Sequence, residues 1–285
     1  MTDAYRHCEE LVRTFDKDRY LATLFAPAER RGALFALYAF AAEIATVRDR
    51  AREPMPGEIR LQWWRDVLNG ERGGEAASHP VAAALTDTVA RFNLPAEPLL
   101  DLIEAHSFDL YDDPMPTRAA LEAYVRKTTS VLFALGAQIA VGVQHDAVSE
   151  AADHAGIAYA LTGLLRSIAL HASRRQIYVP LDLIERYRAR TEDILAGNAT
   201  PGTRAALAEL REEAQRNHSR FEACLPALPS AAMAAFLPAA LAPGYLSLMQ
   251  RSDYDPFKTA IEVPQWRRQW VLWRAARRYA RAMRG

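Results

Sequence analysis

The sequence predicts an all-α fold, and three features of the 285-residue chain support this. Apolar residues recur at intervals of three and four over most of its length, which is the period of an amphipathic helix. Strand-like alternation of apolar and polar residues is nearly absent. Prolines and Asn-Gly or Gly-Gly pairs separate the periodic segments. Together these features favour a bundle of helices packed around a shared core.

The individual helices follow from apolar stripes and from the breaks between them. One stripe runs from Leu34 to Val47 and stops at the Glu-Pro-Met-Pro-Gly segment 53–57. Thr117 is a predicted N-cap, because a short hydroxyl side chain there precedes an apolar-periodic run. In chain order, the predicted helices cover about 28–51, 58–68, 79–92, 97–111, 117–141, 147–171 and 264–284.

Composition predicts one domain over residues 1–285, ending in a basic, Trp/Arg-rich helix at about 264–284. The 13 glycines are scattered, and no linker-like or low-complexity stretch marks a boundary. The 35 basic and 35 acidic residues cancel, which argues against a nucleic-acid partner. Cys8 and Cys224 lie too far apart in sequence for a metal motif and form no disulfide framework.

The N-terminal segment predicts a cytoplasmic location. Residues 1–10 carry Asp3, Glu9 and Glu10 and lack the apolar core of a signal peptide or the acid-poor composition of a transit peptide. No apolar run is expected to reach the length of a membrane span. Any contact with the membrane is therefore expected to be peripheral, on its inner face.

Eight short segments form an ordered pattern along the chain: Leu24–Arg31, Ala36–Phe40, Phe108–Leu110, Leu121–Tyr124, Gly156–Ala158, Leu164–Arg166, Ile177–Leu181 and Tyr254–Phe257. Taken in this order, they resemble squalene/phytoene synthases. The match covers roughly residues 15 to 260, and its specificity comes from the ordered set rather than from any one piece. The resemblance implies an isoprenoid-synthase-type helical bundle around a central cavity.

Enzymes of that family ionise an allylic diphosphate and join two prenyl chains head to head. Magnesium neutralises the leaving diphosphate and is held by oxygen ligands. The resemblance implies aspartates spaced i, i+4 on two facing helices, since that spacing places both on one helix face. The family pattern is Asp-Asp-x-x-Asp on the first long helix and Asp-x-x-x-Asp on the central one.

Most of these acidic positions are replaced in this chain. On the first helix, the aspartate positions fall on Ala45, Thr46 and Asp49, and the preceding arginine position falls on Ala42. On the central helix, the two aspartate positions fall on Ser167 and His171. The family's Gln and Asn positions, which precede them, fall on Ala160 and Gly163.

The diphosphate-binding Ser-basic-Ser-Phe signature also differs and reads Asp16-Lys17-Asp18-Arg19. Each lost contact to a transition-state anion commonly costs a few kcal/mol. The sequence therefore predicts no metal site, no cofactor and no ordinary condensation.

Five segments of the chain carry a second pattern: Phe40–Asp49, Leu61–Arg65, Leu164–Arg166, His171–Arg175 and Val179–Asp182. They resemble a divergent branch of the family that contains a mitochondrial respiratory complex I assembly factor. This resemblance implies respiratory complex subunits or assembly proteins as partners, with the prenyl cavity holding an isoprenoid or lipid ligand or a partner helix. Two alternatives are a lipid-binding module with no assembly role and an active prenyltransferase with a modified metal site, and only the prenyltransferase requires Mg²⁺.

Three groups of residues are further candidates for the cavity. Tyr38 belongs to the first helix stripe, where Glu43 and Asp49 are either residual ligands or, as we favour, ordinary polar residues paired with Arg48 or Arg52. Asp109 belongs to an acidic cluster with Asp112 and Asp113, for which we favour a solvated turn before Pro114. The third group is either a cationic patch for a phosphate or lipid head group, or a network that holds the Tyr178 segment: Arg166, His171, Arg174 and Arg175.

The C-terminal helix has two interpretations. Trp266, Trp270 and Trp273 recur at four and three, so they share one face. Tryptophan together with arginine suits a membrane interface, but a last bundle helix with its tryptophans in the core is slightly favoured. In either case the arginines are candidates for contact with an anionic membrane surface: Arg267, Arg268, Arg274, Arg277, Arg278, Arg281 and Arg284.

Overall fold

The computed structural model describes residues 3–51 and 53–283, and within these ranges the regular structure is helical, without strands. The predicted all-α class is confirmed. The α-helices are α1 Asp3–Phe15, α2 Lys17–Thr23, α3 Ala28–Ala45, α4 Val47–Arg50, α5 Pro54–Leu68, α6 Gly73–Ser78, α7 Pro80–Phe92, α8 Glu97–Ala105, α9 Arg118–Val125, α10 Val131–Val141, α11 Ala147–Arg166, α12 Ile168–Ser173, α13 Leu181–Arg186, α14 Thr191–Leu195, α15 Pro201–Cys224, α16 Met233–Phe236, α17 Ala242–Leu248 and α18 Gln265–Ala282. A π-helical turn spans Arg126–Ser130, and 3-10 helices span His106–Leu110, Leu225–Ala227, Ser230–Ala232 and Leu237–Leu241.

Both long helices predicted to face the cavity are interrupted by a single non-helical residue. Thr46 separates α3 from α4 with φ −98° and ψ 6°. Ser167 separates α11 from α12 with φ −99° and ψ 9°. The Thr46 hydroxyl donates to the Ala42 carbonyl at 2.8 Å, a local bond that competes with regular helix hydrogen bonding. The predicted continuous helices over 28–51 and 147–171 are therefore wrong at these two points.

The helix predicted from Thr117 is confirmed. The Thr117 hydroxyl accepts a hydrogen bond from the backbone N–H of Ala120 at 3.1 Å. The chain then remains helical through the π turn to Val141, and Gly142 ends it with φ +97°. A left-handed backbone of this kind is accessible to glycine at little cost. The predicted ranges contained no helix for α1, α2 or α6, nor for α13 to α17.

The buried apolar residues form two clusters that meet along α2 and α10. One cluster surrounds α11, which packs against α10 on one side and α15 on the other. The second surrounds α3, which packs against α1 and α7 and is buried along most of its length. Trp64 on α5 is only 1% exposed and meets Phe40 edge to face at 5.2 Å. The central cavity lies where α3 approaches α11.

One segment corrects the expectation that no apolar run reaches span length. Ser230–Leu248 is 19 residues long with a mean hydropathy of 1.5, so length and composition alone would allow it to cross a membrane. In the fold, 67% of it is buried. The core helix of a soluble protein passes the same test, so this segment is weak support for a span.

Candidate functional site

A cavity of about 430 Å³ lies between α3 and α11, and residues of α2 and of the helical stretch from α9 to α10 also line it. Both interrupted helices contribute their replaced positions to its wall. The predicted residues that line it are Tyr38, Ala42, Ala45, Thr46, Ala160, Gly163, Ser167 and His171. A Cβ placed on Gly163 would meet no atom within 4 Å, which reflects this open space.

The wall of the cavity does not fit magnesium. The aspartate positions of the family pattern that line it now carry methyl, hydroxyl and imidazole groups. The hydroxyl of Thr46 is already bonded to its own helix. Among the described residues, no group of three or more His, Cys, Asp or Glu side chains could hold a metal ion. Magnesium requires several oxygen ligands in octahedral geometry, which this donor set does not supply.

One half-buried ion pair supplies the formal charge of the cavity. Asp16 caps α2 by accepting from the Arg19 backbone N–H at 3.0 Å and pairs with the Arg19 guanidinium at 3.0 Å. That guanidinium also lies 5.2 Å from the ring centres of Tyr38 and Tyr159. Burial alone would lower the pKa of Arg19, but Asp16 and the two tyrosines raise it. Arg19 therefore stays charged inside the cavity.

The sequence prediction did not single out Arg19. The signal was present, because Arg19 stands at the phenylalanine position of the Ser-basic-Ser-Phe signature. A guanidinium where the family pattern has an apolar side chain changes the chemistry of the cavity wall. Asp16, Tyr124 and Tyr159 also line the cavity without having been predicted.

Asp109 is not in a solvated turn, so that prediction is wrong. Its carboxylate is 7% exposed and accepts hydrogen bonds from the Tyr178 hydroxyl at 2.6 Å and the Tyr124 hydroxyl at 2.9 Å. His106 Nδ1 lies 2.6 Å from the same carboxylate. Burial, with Asp109 next in effect, raises the pKa of both tyrosines, so they remain neutral donors. This network fixes part of the cavity wall, since His106 and Tyr124 line the cavity themselves.

His171 is neutral at physiological pH. Its ring packs against Tyr178 with 4.8 Å between ring centres. Burial lowers its pKa to about 4, against an opposing effect of Asp109 and with a smaller contribution from Arg174. His171 therefore contributes no positive charge to the cavity wall.

The predicted cationic patch is not formed, because each of its arginines has a separate carboxylate partner. Arg166 lies 3.7 Å from Asp18 and 3.7 Å from the ring centre of Tyr245. Arg174 pairs with Asp49 at 2.8 Å. Arg175, which has φ +60°, approaches Asp112 at 3.6 Å. None of the three arginines lines the cavity, and neither do Asp49, Asp109 and Tyr178.

Glu43 also lies outside the cavity. It is 6% exposed and pairs with Arg50 at 2.9 Å and Arg60 at 3.1 Å, which joins α3 to α4 and α5. The predicted partners differ, because Arg48 instead bonds to Asp112 at 2.6 Å and to the Leu110 carbonyl. Arg52 lies outside the described residues.

The C-terminal helix corrects two further expectations. Trp266, Trp270 and Trp273 do not pack in the core, since they are 69%, 52% and 47% exposed. Leu272 and Tyr279, on the opposite face, are fully buried instead. Arg268 shares that buried face and pairs with Asp18 at 3.2 Å, so it is unavailable to a membrane. The predicted Arg284 lies outside the described residues.

Comparison with known proteins identifies the scaffold. The sequence profile of the family described as squalene/phytoene synthase matches residues 12–274. The chain belongs to the squalene/phytoene synthase family. Complex I assembly factor 6 of Rattus norvegicus is 31% identical over 260 residues, covering 91% of this chain and 78% of that protein. The human protein of the same description is 30% identical over 261 residues, with 92% and 78% covered. A phytoene synthase of Thermus thermophilus is 28% identical over 264 residues, with 92% and 89% covered.

Solved structures confirm the isoprenoid-synthase fold. Squalene synthase HpnC of Alicyclobacillus acidocaldarius matches with a TM-score of 0.76 at 26% identity, covering 89% of this chain and 95% of that one. A dehydrosqualene synthase in complex with a ligand matches with a TM-score of 0.83 at 20% identity, covering 98% and 97%. This family member therefore has the helical fold of the squalene synthase structure, with a cavity wall that differs from the aspartate pattern of the family.

Proposed function

We propose that this protein is a non-condensing member of its family that acts in respiratory complex I assembly. The observation that carries the proposal is the cavity wall, where replaced positions on α3 and α11 face one another without a set of carboxylates. Identity of about 30% to complex I assembly factor 6 over about nine tenths of the chain supports the assembly role. The scaffold is kept by folding requirements, while the metal chemistry is lost.

The magnitude of the loss supports a protein that does not condense prenyl diphosphates. A diphosphate leaving group develops its charge in a site that must neutralise it, and each missing charge-assisted contact costs about 3–4 kcal/mol. In this cavity Arg19 is balanced by Asp16, so the pair adds no net positive charge. A diphosphate would meet one shared guanidinium and neutral side chains.

The same cavity suits an isoprenoid or other lipid with a small anionic group. Its volume of about 430 Å³ lies within the range of small-molecule pockets. Apolar side chains and the rings of Tyr38 and Tyr159 would contact the hydrocarbon chain of the lipid. The Arg19 guanidinium donors that Asp16 leaves free would bind a singly charged group without a metal, whereas a diphosphate carries more charge than this pair can neutralise. Cytoplasmic location is part of this proposal.

The first experiment tests condensation. Purified protein is incubated with farnesyl or geranylgeranyl diphosphate and magnesium, and released diphosphate and lipid products are measured beside an active phytoene synthase. We expect no magnesium-dependent release. Release of diphosphate at a rate typical of enzymes would reject the hypothesis that the protein does not condense prenyl diphosphates.

The second experiment tests whether the cavity serves assembly. Gly163→Leu fills the open space in the wall, whereas Gly74→Leu adds the same side chain at an exposed position on α6 that also has open space around it. In a strain that lacks the gene, we expect the Gly74 variant to restore complex I on native gels and the Gly163 variant to fail. Lipid extracted from purified wild-type protein should be depleted in the Gly163 variant. Full restoration by both variants would exclude a role for the cavity.

The second candidate function is an active head-to-head prenyltransferase with a modified metal site. The similarity to phytoene synthases over 92% of the chain favours it, as does the retained cavity. Restoring Asp at 45, 167 and 171 provides a companion test. Magnesium binding gained by that variant and absent from the wild type would support loss of the metal site, whereas magnesium binding by the wild type would support this second function.

A further inference from the structure

The outward face of α18 combines tryptophan and arginine. Residues spaced by three and four lie on one side of a helix, so Trp266, Trp270 and Trp273 share a face with Arg274, Arg277 and Arg281. We call these six residues the Trp/Arg face. An open groove of about 620 Å³ runs beside it along the 3-10 helix Leu237–Leu241, with Ala240 at its base.

The arginines of this face lack local counter-charges among the residues that the structure describes. Arg274 lies 4.6 Å from the ring centre of Trp270, and Arg277 lies 4.7 Å from that of Trp273. Neither they nor Arg281 form an ion pair with a described carboxylate, whereas the neighbouring Arg278 pairs with Glu222. The stacked guanidiniums keep their edges open for hydrogen bonds to an anion.

The rest of α18 is fixed to the bundle, so the Trp/Arg face is presented by a folded element. Leu272 and Tyr279 are fully buried, and Ala275 and Ala276 are nearly so. Near the helix start, Arg268 pairs with Asp18, which also accepts from the Tyr245 hydroxyl at 3.0 Å. The tryptophans therefore have no room in the core, and their exposure is imposed by the packing of the opposite face.

We propose that the Trp/Arg face docks on the surface of an anionic phospholipid bilayer. Arginine binds phosphate oxygens in a bidentate manner, and tryptophan favours the headgroup region, where its ring is in an apolar layer and its N–H is hydrated. A helix lying in the membrane plane with these two residue types on one side has the required chemistry. This inference goes beyond the proposed function and does not depend on it.

Charge complementarity favours a bilayer over a second copy of the chain. Residues 265–285 contain seven arginines and no acid, so the other 264 positions hold 28 basic and 35 acidic residues. Two copies that met through this face would bring like charges together, which is unfavourable. An anionic bilayer attracts the face and repels the acidic remainder, so it also orients the protein.

The test is vesicle sedimentation of the full chain with phosphatidylcholine alone or mixed with phosphatidylglycerol, at low and high salt. Binding is expected only to the anionic vesicles, and salt should weaken it. Replacing three arginines of the face should weaken partitioning at low salt roughly 100-fold. The test variant is Arg274→Gln/Arg277→Gln/Arg281→Gln.

A matched control removes the same charge elsewhere, from three exposed arginines that form no ion pair with a described carboxylate. It should bind as the wild type does, and circular dichroism should show both triple variants folded. Tryptophan fluorescence gives a second readout, since Trp270→Ser/Trp273→Ser should abolish most of the vesicle-induced blue shift. The control variant is Arg13→Gln/Arg91→Gln/Arg188→Gln.

Three outcomes would overturn the proposal. The first is absence of binding to anionic vesicles at low salt, and the second is equal binding to neutral vesicles. The third is equal loss of binding in the test and control variants. Dimerisation in sedimentation velocity that the Trp270→Ser/Trp273→Ser variant abolishes, without vesicle binding, would assign the face to a second copy instead. Loss of complex I assembly in cells has no bearing on these measurements, so the two proposals fail separately.

Discussion

Protonation of His171 should destabilise the protein as the pH falls. Burial lowers the pKa of this imidazole from 6.5 to about 4 in the folded state. Between these values the unfolded chain binds a proton that the folded protein does not, so stability is lost as pH falls through this window. With these two pKa values, protonation of the unfolded chain lowers the free energy of unfolding by about 2 kcal/mol between about pH 7.5 and pH 5.

The measurement is urea denaturation of the wild type and of His171→Gln at both pH values. Glutamine does not titrate, so the variant should lose about 2 kcal/mol less than the wild type on acidification. His145→Gln serves as the matched control, because His145 is exposed in the loop before α11. It should follow the wild type. If the His171 variant also follows the wild type, His171 is not held neutral by burial, and a cationic cavity wall must be reconsidered.

Two other sites give contrasting predictions for stability, each measured as the free energy of unfolding in urea. Gly156→Ala should destabilise the protein by about 1–3 kcal/mol, because a Cβ there would overlap Ser130 on the π turn. Gly163→Ala should be neutral or stabilise the protein by up to about 1 kcal/mol, because a Cβ there meets open space. Equal effects at both glycines would contradict the packing described for α11. Tyr178→Phe should destabilise by about 1–3 kcal/mol, because buried Asp109 loses its 2.6 Å donor. A change below the error of the measurement would mean that Tyr124 and His106 satisfy Asp109 alone.

The two helix interruptions lie at positions where the family pattern has aspartates. Thr46 and Ser167 occupy aspartate positions of the family pattern, and each is the single non-helical residue of its helix. Hydroxyl side chains can bond to their own helix backbone, as Thr46 does with the Ala42 carbonyl. A bend with a satisfied hydroxyl can thus replace a metal ligand without leaving an unpaired buried charge.

The sequence by itself determined the helical class and the residues that share each helix face. The spacing of apolar residues predicts both the helical class and the shared faces, because residues three and four apart lie on one side of a helix. It therefore placed Ala45 with Ala42 on one stripe and Ser167 with Gly163 on another, and the structure brings these two stripes to a single cavity. It also marked Thr117 as a cap, since that requires only local chemistry.

Only the tertiary structure decided which face of each helix is covered and which charges meet. Helix α18 has apolar residues on two sides, and packing buried Leu272 and Tyr279 while leaving Trp270 in solvent. The sequence predicted a solvated turn at Asp109, whereas in the fold Asp109 accepts hydrogen bonds from Tyr124 and Tyr178, which are distant in sequence. Periodicity indicates which residues of one helix share a face, but burial and ion pairing depend on neighbours that the fold brings from elsewhere in the chain.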